Sequence, residues 1–139
     1  MDWITPNIGL WEYPSSKTDL SQFDAILNLD RYTPYQTTVA QTHMPILDGP
    51  GNLPSDIVLV VRHLHDLLAK GRVLVHCAAG VSRSPFIIAL YLSWTQGIHF
   101  PEALQLVAKG RRRPLNIDQG LLSISDETLS LLGKLNHNP

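Results

Sequence analysis

The chain has 139 residues, 44% of them hydrophobic, a net charge of −1 and one cysteine. That length suits one domain, 1–139, with a core of ordinary size and leaves no room for a second. The lone cysteine excludes an intramolecular disulfide framework, and near-neutrality excludes a global field for nucleic acid.

In chain order, Asn7–Trp11 and Ala25–Leu29 read as short strands around a polar stretch with a turn of helix near Thr18–Phe23. Thr42–Ile46 reads as a third strand. Over Pro54–Lys70 the apolar residues Ile57, Val58, Val61, Leu64, Leu67 and Leu68 recur at three- and four-residue steps, which predicts an amphipathic helix closed by Gly71. Arg72–His76 is a further strand, and helices are expected from Ser82 to Gln96, over Phe100–Lys109 and over Asp118–Leu132, before a short polar tail. Strands alternating with crossover helices imply an α/β fold: a central, mainly parallel sheet of four to five strands, flanked by helices on both faces. No apolar run approaches the roughly 18 residues of a membrane span, and the start Met1-Asp2-Trp3-Ile4-Thr5-Pro6 carries an early acid and no apolar leader, so a cytoplasmic chain without a membrane partner is expected.

The chemistry concentrates in Val73-Leu74-Val75-His76-Cys77-Ala78-Ala79-Gly80-Val81-Ser82-Arg83-Ser84, where the cysteine lies between a strand and a helix start. The residues Ala78, Ala79, Gly80, Val81 and Ser82 are small or turn-compatible, so successive N–H groups can converge on a phosphate-sized dianion. Ser82 and Ser84 are candidate capping residues of a helix whose positive dipole end faces that loop, and the same field stabilises a thiolate. Arg83 supplies a planar fork that grips two phosphoryl oxygens at once. A thiolate attacking a phosphate ester also needs a proton donor for the leaving oxygen. Asp48 is the candidate, because it follows a strand and opens the turn-rich Asp48-Gly49-Pro50-Gly51-Asn52; Asp30, at the end of the strand around Leu27, is the rival. His76 precedes the cysteine, where its imidazole can hold loop carbonyls outward. Tyr32 and Tyr35 read as scattered surface aromatics, with a place at the pocket mouth, stacked on a phosphotyrosine ring, as the alternative. Arg111-Arg112-Arg113 reads as a solvated helix end, with a grip on an acidic partner as the alternative.

His-Cys, five residues, then Arg-Ser resembles the signature of the cysteine-dependent protein tyrosine phosphatase superfamily, and Ala-Gly-Val-Ser-Arg-Ser after the cysteine is similar to the dual-specificity branch, in its small, atypical form. The resemblance implies a metal-independent hydrolase without cofactor, working through a phosphocysteine on phosphotyrosine or phosphoserine/threonine of a protein or peptide, and a monomer. It implies that Asp48 is the general acid, some thirty residues before the cysteine, and that Ser84 donates to the sulfur as it leaves the phosphocysteine; the segment around Gln119 reads first as a capping segment, with a glutamine that helps to seat water, as in several relatives, as the alternative. The branch often carries Pro-Asn and an aromatic where this chain has Leu115-Asn116-Ile117, and the absence of lysine between Cys77 and Arg83 favours phosphoprotein over phospholipid. A catalytically weak phosphoprotein-binding module using the same loop is the competing reading. Arsenate reduction calls for further thiols, which the chain lacks.

Overall fold

The computed structural model describes residues 1–32 and 34–135, so the last four residues of the expected polar tail lie outside it. Five four-residue strands, β1 (Asp2–Thr5), β2 (Ile8–Trp11), β3 (Ala25–Asn28), β4 (Ala40–His43) and β5 (Val73–His76), form one sheet in the order β1-β2-β5-β3-β4. Only β1 pairs antiparallel; β2, β3 and β4 run parallel to their neighbours in the sheet around β5. All four residues of β5 are buried, as the continuous apolar run of a strand covered on both faces requires. Trp11 and Asn28 both register with His76, and Asn28 with His43, so the parallel strands end level and their following loops meet at one edge. Ligands of open α/β sheets bind beyond that carboxyl edge.

The helices are α1 (Pro54–Leu68), α2 (Arg83–Gln96), α3 (Phe100–Gly110), α4 (Gln119–Leu122) and α5 (Ser125–Lys134). Leu27, Val73 and Val75 on one face of the sheet pack with Ile57, Val61 and Leu64 of α1, Phe86, Ile87 and Leu90 of α2, Val107 of α3 and Leu132 of α5. Residues Arg83 to Leu90 are all buried, which makes α2 the central helix of that layer.

The α/β class and the mainly parallel five-stranded sheet are as the sequence predicts, and the structure corrects several details. On the opposite face, Ile26 and Leu74 are covered by Phe23, Trp3, Trp11, Leu20, Tyr35 and Val39 from strand ends and loops, where a helix was expected. The turn of helix near Thr18–Phe23 does not form, because Thr18 Oγ1 and Asp19 Oδ1 take the N–H groups of Ser15 and Ser21 in local side-chain turns that compete with helix. The N-terminal β1 was not expected. The third strand expected over Thr42–Ile46 is β4, displaced toward the N-terminus: Pro45 has no N–H to give, and the ladder ends at His43. The single helix expected over Asp118–Leu132 is broken at Ser123-Ile124, where the Ser125 hydroxyl bonds the Leu122 carbonyl and the backbone tightens.

Candidate active site

The loop from Cys77 to Arg83 leaves the end of β5 and enters α2, and the disposition of its carbonyls defines it. The Cys77 carbonyl accepts from His76 Nδ1 at 3.1 Å, and that of Ala78 from the Tyr13 N–H at 2.7 Å. The Ala79 carbonyl accepts from Arg111 Nη2 at 3.0 Å and Arg113 Nη1 at 3.2 Å, that of Gly80 from Arg111 Nε at 3.0 Å, and that of Val81 from the Asn116 N–H at 2.8 Å. Five consecutive carbonyls are thus turned onto donors outside the loop. The N–H groups of Ala78 to Ser82 have no acceptor among the described residues. A run of peptide units with carbonyls outward and N–H groups free is an anion cradle. Gly80 makes the bend at φ +71°, and a Cβ there would lie 2.7 Å from the Trp11 carbonyl oxygen, so both the conformation and the space call for glycine.

Cys77 is 2% exposed, and its sulfur shares a hydrogen bond of 3.2 Å with the Ser84 hydroxyl. Arg83 is buried and paired through Nη1 with Asp30 Oδ1 at 3.0 Å, which leaves Nε without a partner among the described residues. A guanidinium held from one side, with an unused buried donor, is arranged for a second oxyanion. Asp30 is itself fixed: its N–H bonds Asn28 Oδ1 at 3.0 Å, and its carbonyl accepts from His43 Nε2. Asp30 therefore serves Arg83 from a buried position, whereas Asp48 is exposed on the loop that follows β4. Ser82 Oγ donates to Asp48 Oδ1 at 2.5 Å and accepts from the Asp118 N–H at 3.0 Å, joining the carboxylate, the anion loop and the start of α4 through one hydroxyl. The Ser82 side chain is thus not the helix cap the sequence suggested; α2 starts without a side-chain cap bond.

Burial pushes the His76 imidazole down to about 4, against the raising pull of the Cys77 carbonyl and the Asp30 charge. A neutral imidazole carries one N–H, and Nδ1 must be the donor because it faces a carbonyl; Nε2 then accepts from the Tyr35 hydroxyl at 2.8 Å. Burial drives the Tyr35 phenol well above its usual value, so the hydroxyl keeps its proton for that bond. Tyr35 therefore supports His76, with its ring edge-on to Tyr13, and does not present a free face at a pocket mouth. Tyr32 is 59% exposed, with the Arg31 guanidinium 5.3 Å from its ring centre. Gln119 is exposed in the first turn of α4, where Asp118 supplies the cap by accepting the Gly120 N–H at 2.8 Å.

The largest departure is the arginine run. Arg111 is 3% exposed, so neither a solvated helix end nor a grip on a partner describes it; its Nη1 bonds Asp2 Oδ2 at 2.7 Å while its other nitrogens hold the loop. Nothing in the local sequence pairs Arg111 with Asp2, which lie 109 residues apart. The described residues contain no cluster of His, Cys, Asp or Glu suited to a metal ion, and no described helix is long and apolar enough to cross a membrane.

The arrangement brings together a buried thiol, a cradle of N–H donors, a clamped guanidinium and an exposed carboxylate. The family model of the dual specificity phosphatase catalytic domain matches residues 9–122. A putative tyrosine phosphatase, 123R, of Invertebrate iridescent virus 6 is 33% identical over 91 residues, covering 64% of this chain and 63% of that protein. The dual specificity protein phosphatase OPG106 of Vaccinia virus is 34% identical over 105 residues, covering 66% of this chain and 58% of the relative. The chain spans from 5% to 63% of the length of these and other curated relatives it matches. Among solved structures, human DUSP28 superposes with a TM-score of 0.83 at 20% identity, covering 98% of this chain and 100% of the other, a likeness of fold.

Proposed function

The chain belongs to the dual specificity phosphatase catalytic-domain family, and on that premise we propose that it hydrolyses phosphate monoesters on proteins or peptides through a phosphocysteine. The observation that carries the reading is the anion loop: five carbonyls held outward around Cys77, with Arg83 Nε unpartnered beside them. In the first step the Cys77 thiolate attacks phosphorus and the bond to the leaving oxygen breaks, with Asp48 giving that oxygen its proton. The loop N–H groups and Arg83 hold the equatorial oxygens, where charge is spread in the transition state. In the second step water attacks phosphorus, Asp48 takes its proton, and the S–P electron pair returns to sulfur, which the Ser84 hydroxyl stabilises. Asp48 suits both duties, because only one of its oxygens is engaged by Ser82 in the hydrogen bonds described above and it stands at the exposed rim. Every step uses backbone and side-chain groups of the chain itself together with water, and calls on no metal or cofactor.

The test is turnover of an aryl phosphate by Cys77→Ser protein. Hydrolysis should vanish while tungstate, a phosphate-shaped dianion, still binds, because the substitution removes the nucleophile and keeps the cradle. Substantial hydrolysis by the pure variant would overturn the assignment of Cys77. Binding of phosphopeptide by the unaltered chain, with no phosphate released, would support the binding-module reading instead.

A further inference from the structure

Four kinds of group hold the loop carbonyls, and three of them come cheaply from the fold: backbone N–H groups of Tyr13 and Asn116, the adjacent His76, and Arg113 from a half-exposed position. Arg111 is different. It follows the end of α3, is buried, and spends two nitrogens on adjacent carbonyls at the bend, Nε on Gly80 and Nη2 on Ala79, both at 3.0 Å. Its third nitrogen meets Asp2 of β1, a carboxylate as buried as itself. The Arg112 backbone N–H and Nε complete the Asp2 oxygens at 3.0 and 2.6 Å, and the Arg111 guanidinium lies 5.4 Å from the ring centre of Trp11. A charged group is costly to bury, and a solvent-facing loop could have turned these carbonyls to water at no such cost. Only a fork can bond two neighbouring carbonyls in one plane while a third nitrogen is pinned to a carboxylate.

We propose that Arg111, held in place by Asp2, is a positioning residue for dephosphorylation: it keeps the Ala79 and Gly80 carbonyls out of the anion cradle, so that the intervening N–H groups face the phosphoryl oxygens. This rests on reading the loop as a phosphate cradle. The anion site is thereby coupled to β1, at the far edge of the sheet. Arg111 touches neither sulfur nor leaving group, so its loss weakens oxyanion binding and transition-state binding without altering how the reaction depends on the leaving group.

The experiment compares Arg111→Met, Arg111→Lys and Asp2→Asn with the unaltered chain, reading tungstate affinity by calorimetry and kcat/KM for dinitrophenyl, nitrophenyl and phenyl phosphates. Arg111→Met and Arg111→Lys should each weaken tungstate binding about tenfold or more and lower kcat/KM by roughly 10²-fold, equally for all three esters, since misplacement of a site by about 1 Å costs that much. Lysine should not rescue, because one ammonium cannot reach both carbonyls, and Asp2→Asn should show the same pattern to a smaller degree. Arg111→Lys keeps the charge beside Asp2 and carries the test should Arg111→Met not fold. Folded Arg111→Lys and Asp2→Asn with the tungstate affinity of the unaltered chain would overturn the proposal, as would a loss confined to the esters with poor leaving groups. The binding arm stands apart from turnover: tungstate affinity that tracks Arg111 in a chain releasing no phosphate would uphold the clamp and overturn the phosphatase reading.

Discussion

Gly120→Ala tests whether the position of the Asp48 loop governs the chemistry. Gly120 lies in α4 against the loop that carries Asp48: a Cβ added there would stand 2.7 Å from Pro50 Cα and closer still to Pro50 N and the Gly49 carbonyl carbon. These are backbone atoms, so no side chain can swing aside; ordinary contact begins near 3.4 Å, and the loop must retreat from α4 by about 1 Å. Ser82 Oγ ties Asp48 to the Asp118 N–H on the same helix start, so the retreat lengthens that link at its 2.5 Å end. A displacement of that size at a proton donor costs about 10²-fold in rate. The anion loop, whose carbonyl donors lie elsewhere, is undisturbed. We expect kcat for phenyl phosphate to fall about 10²-fold, dinitrophenyl phosphate to suffer much less because its leaving group needs little protonation, and tungstate affinity to hold. Thermal melting guards against a trivial loss, since alanine in a helix gains up to about 1 kcal/mol over glycine before the clash is counted. Unchanged kcat for phenyl phosphate, or an equal loss for both esters, would refute the reasoning.

Asp48→Asn should slow phenyl phosphate hydrolysis by about 10²–10⁴-fold with the same leaving-group grading; Asp30→Asn should instead weaken tungstate binding without grading, because Asp30 holds Arg83 at 3.0 Å, and a graded loss from Asp30→Asn would reverse the two assignments. Arg83→Lys keeps the charge but removes Nε and the fork, and should lower kcat/KM by about 10²–10³-fold; near-native kinetics would leave Arg83 a structural role only. Burial holds His76 at about 4, below its unfolded value near 6.5, so the unfolded chain takes up a proton first as pH falls. Its neutral form leaves stability intact above pH 6.5 and withdraws about 3 kcal/mol between 6.5 and 4. Urea unfolding at pH 7 and pH 4.5 should show that slope and His76→Asn should flatten it; an unchanged slope in the variant would refute the account. Asp2, held at about 2 where the Arg112 N–H and two guanidiniums outweigh burial, loses its contribution only below that window.

The anion loop was legible in the sequence because its parts are contiguous. A buried strand, a cysteine, five small residues, an arginine and a helix start are local properties of one stretch, and backbone stereochemistry turns them into a cradle wherever that stretch folds. The amphipathic stripe of α1 and the apolar run of β5 were legible for the same reason: periodic burial leaves a periodic signal. Asp48 could be nominated because a strand ends and a turn begins beside it.

Tertiary structure decided what depends on pairs distant in sequence. Asp30 reads as a rival to Asp48 for the proton donor until its carboxylate is found 3.0 Å from Arg83. Tyr35 reads as a surface aromatic until its hydroxyl meets His76 Nε2. Arg111 reads as solvated because arginine usually is, and only the closure of α3 against β1 buries it beside Asp2 and the loop carbonyls. A single polar contact between remote residues has no period and no composition, so it is invisible until the chain brings its two ends together. The residues of the anion loop are therefore written in one contiguous stretch, while the contacts that hold the loop open exist only once β1, α3 and the loop have met.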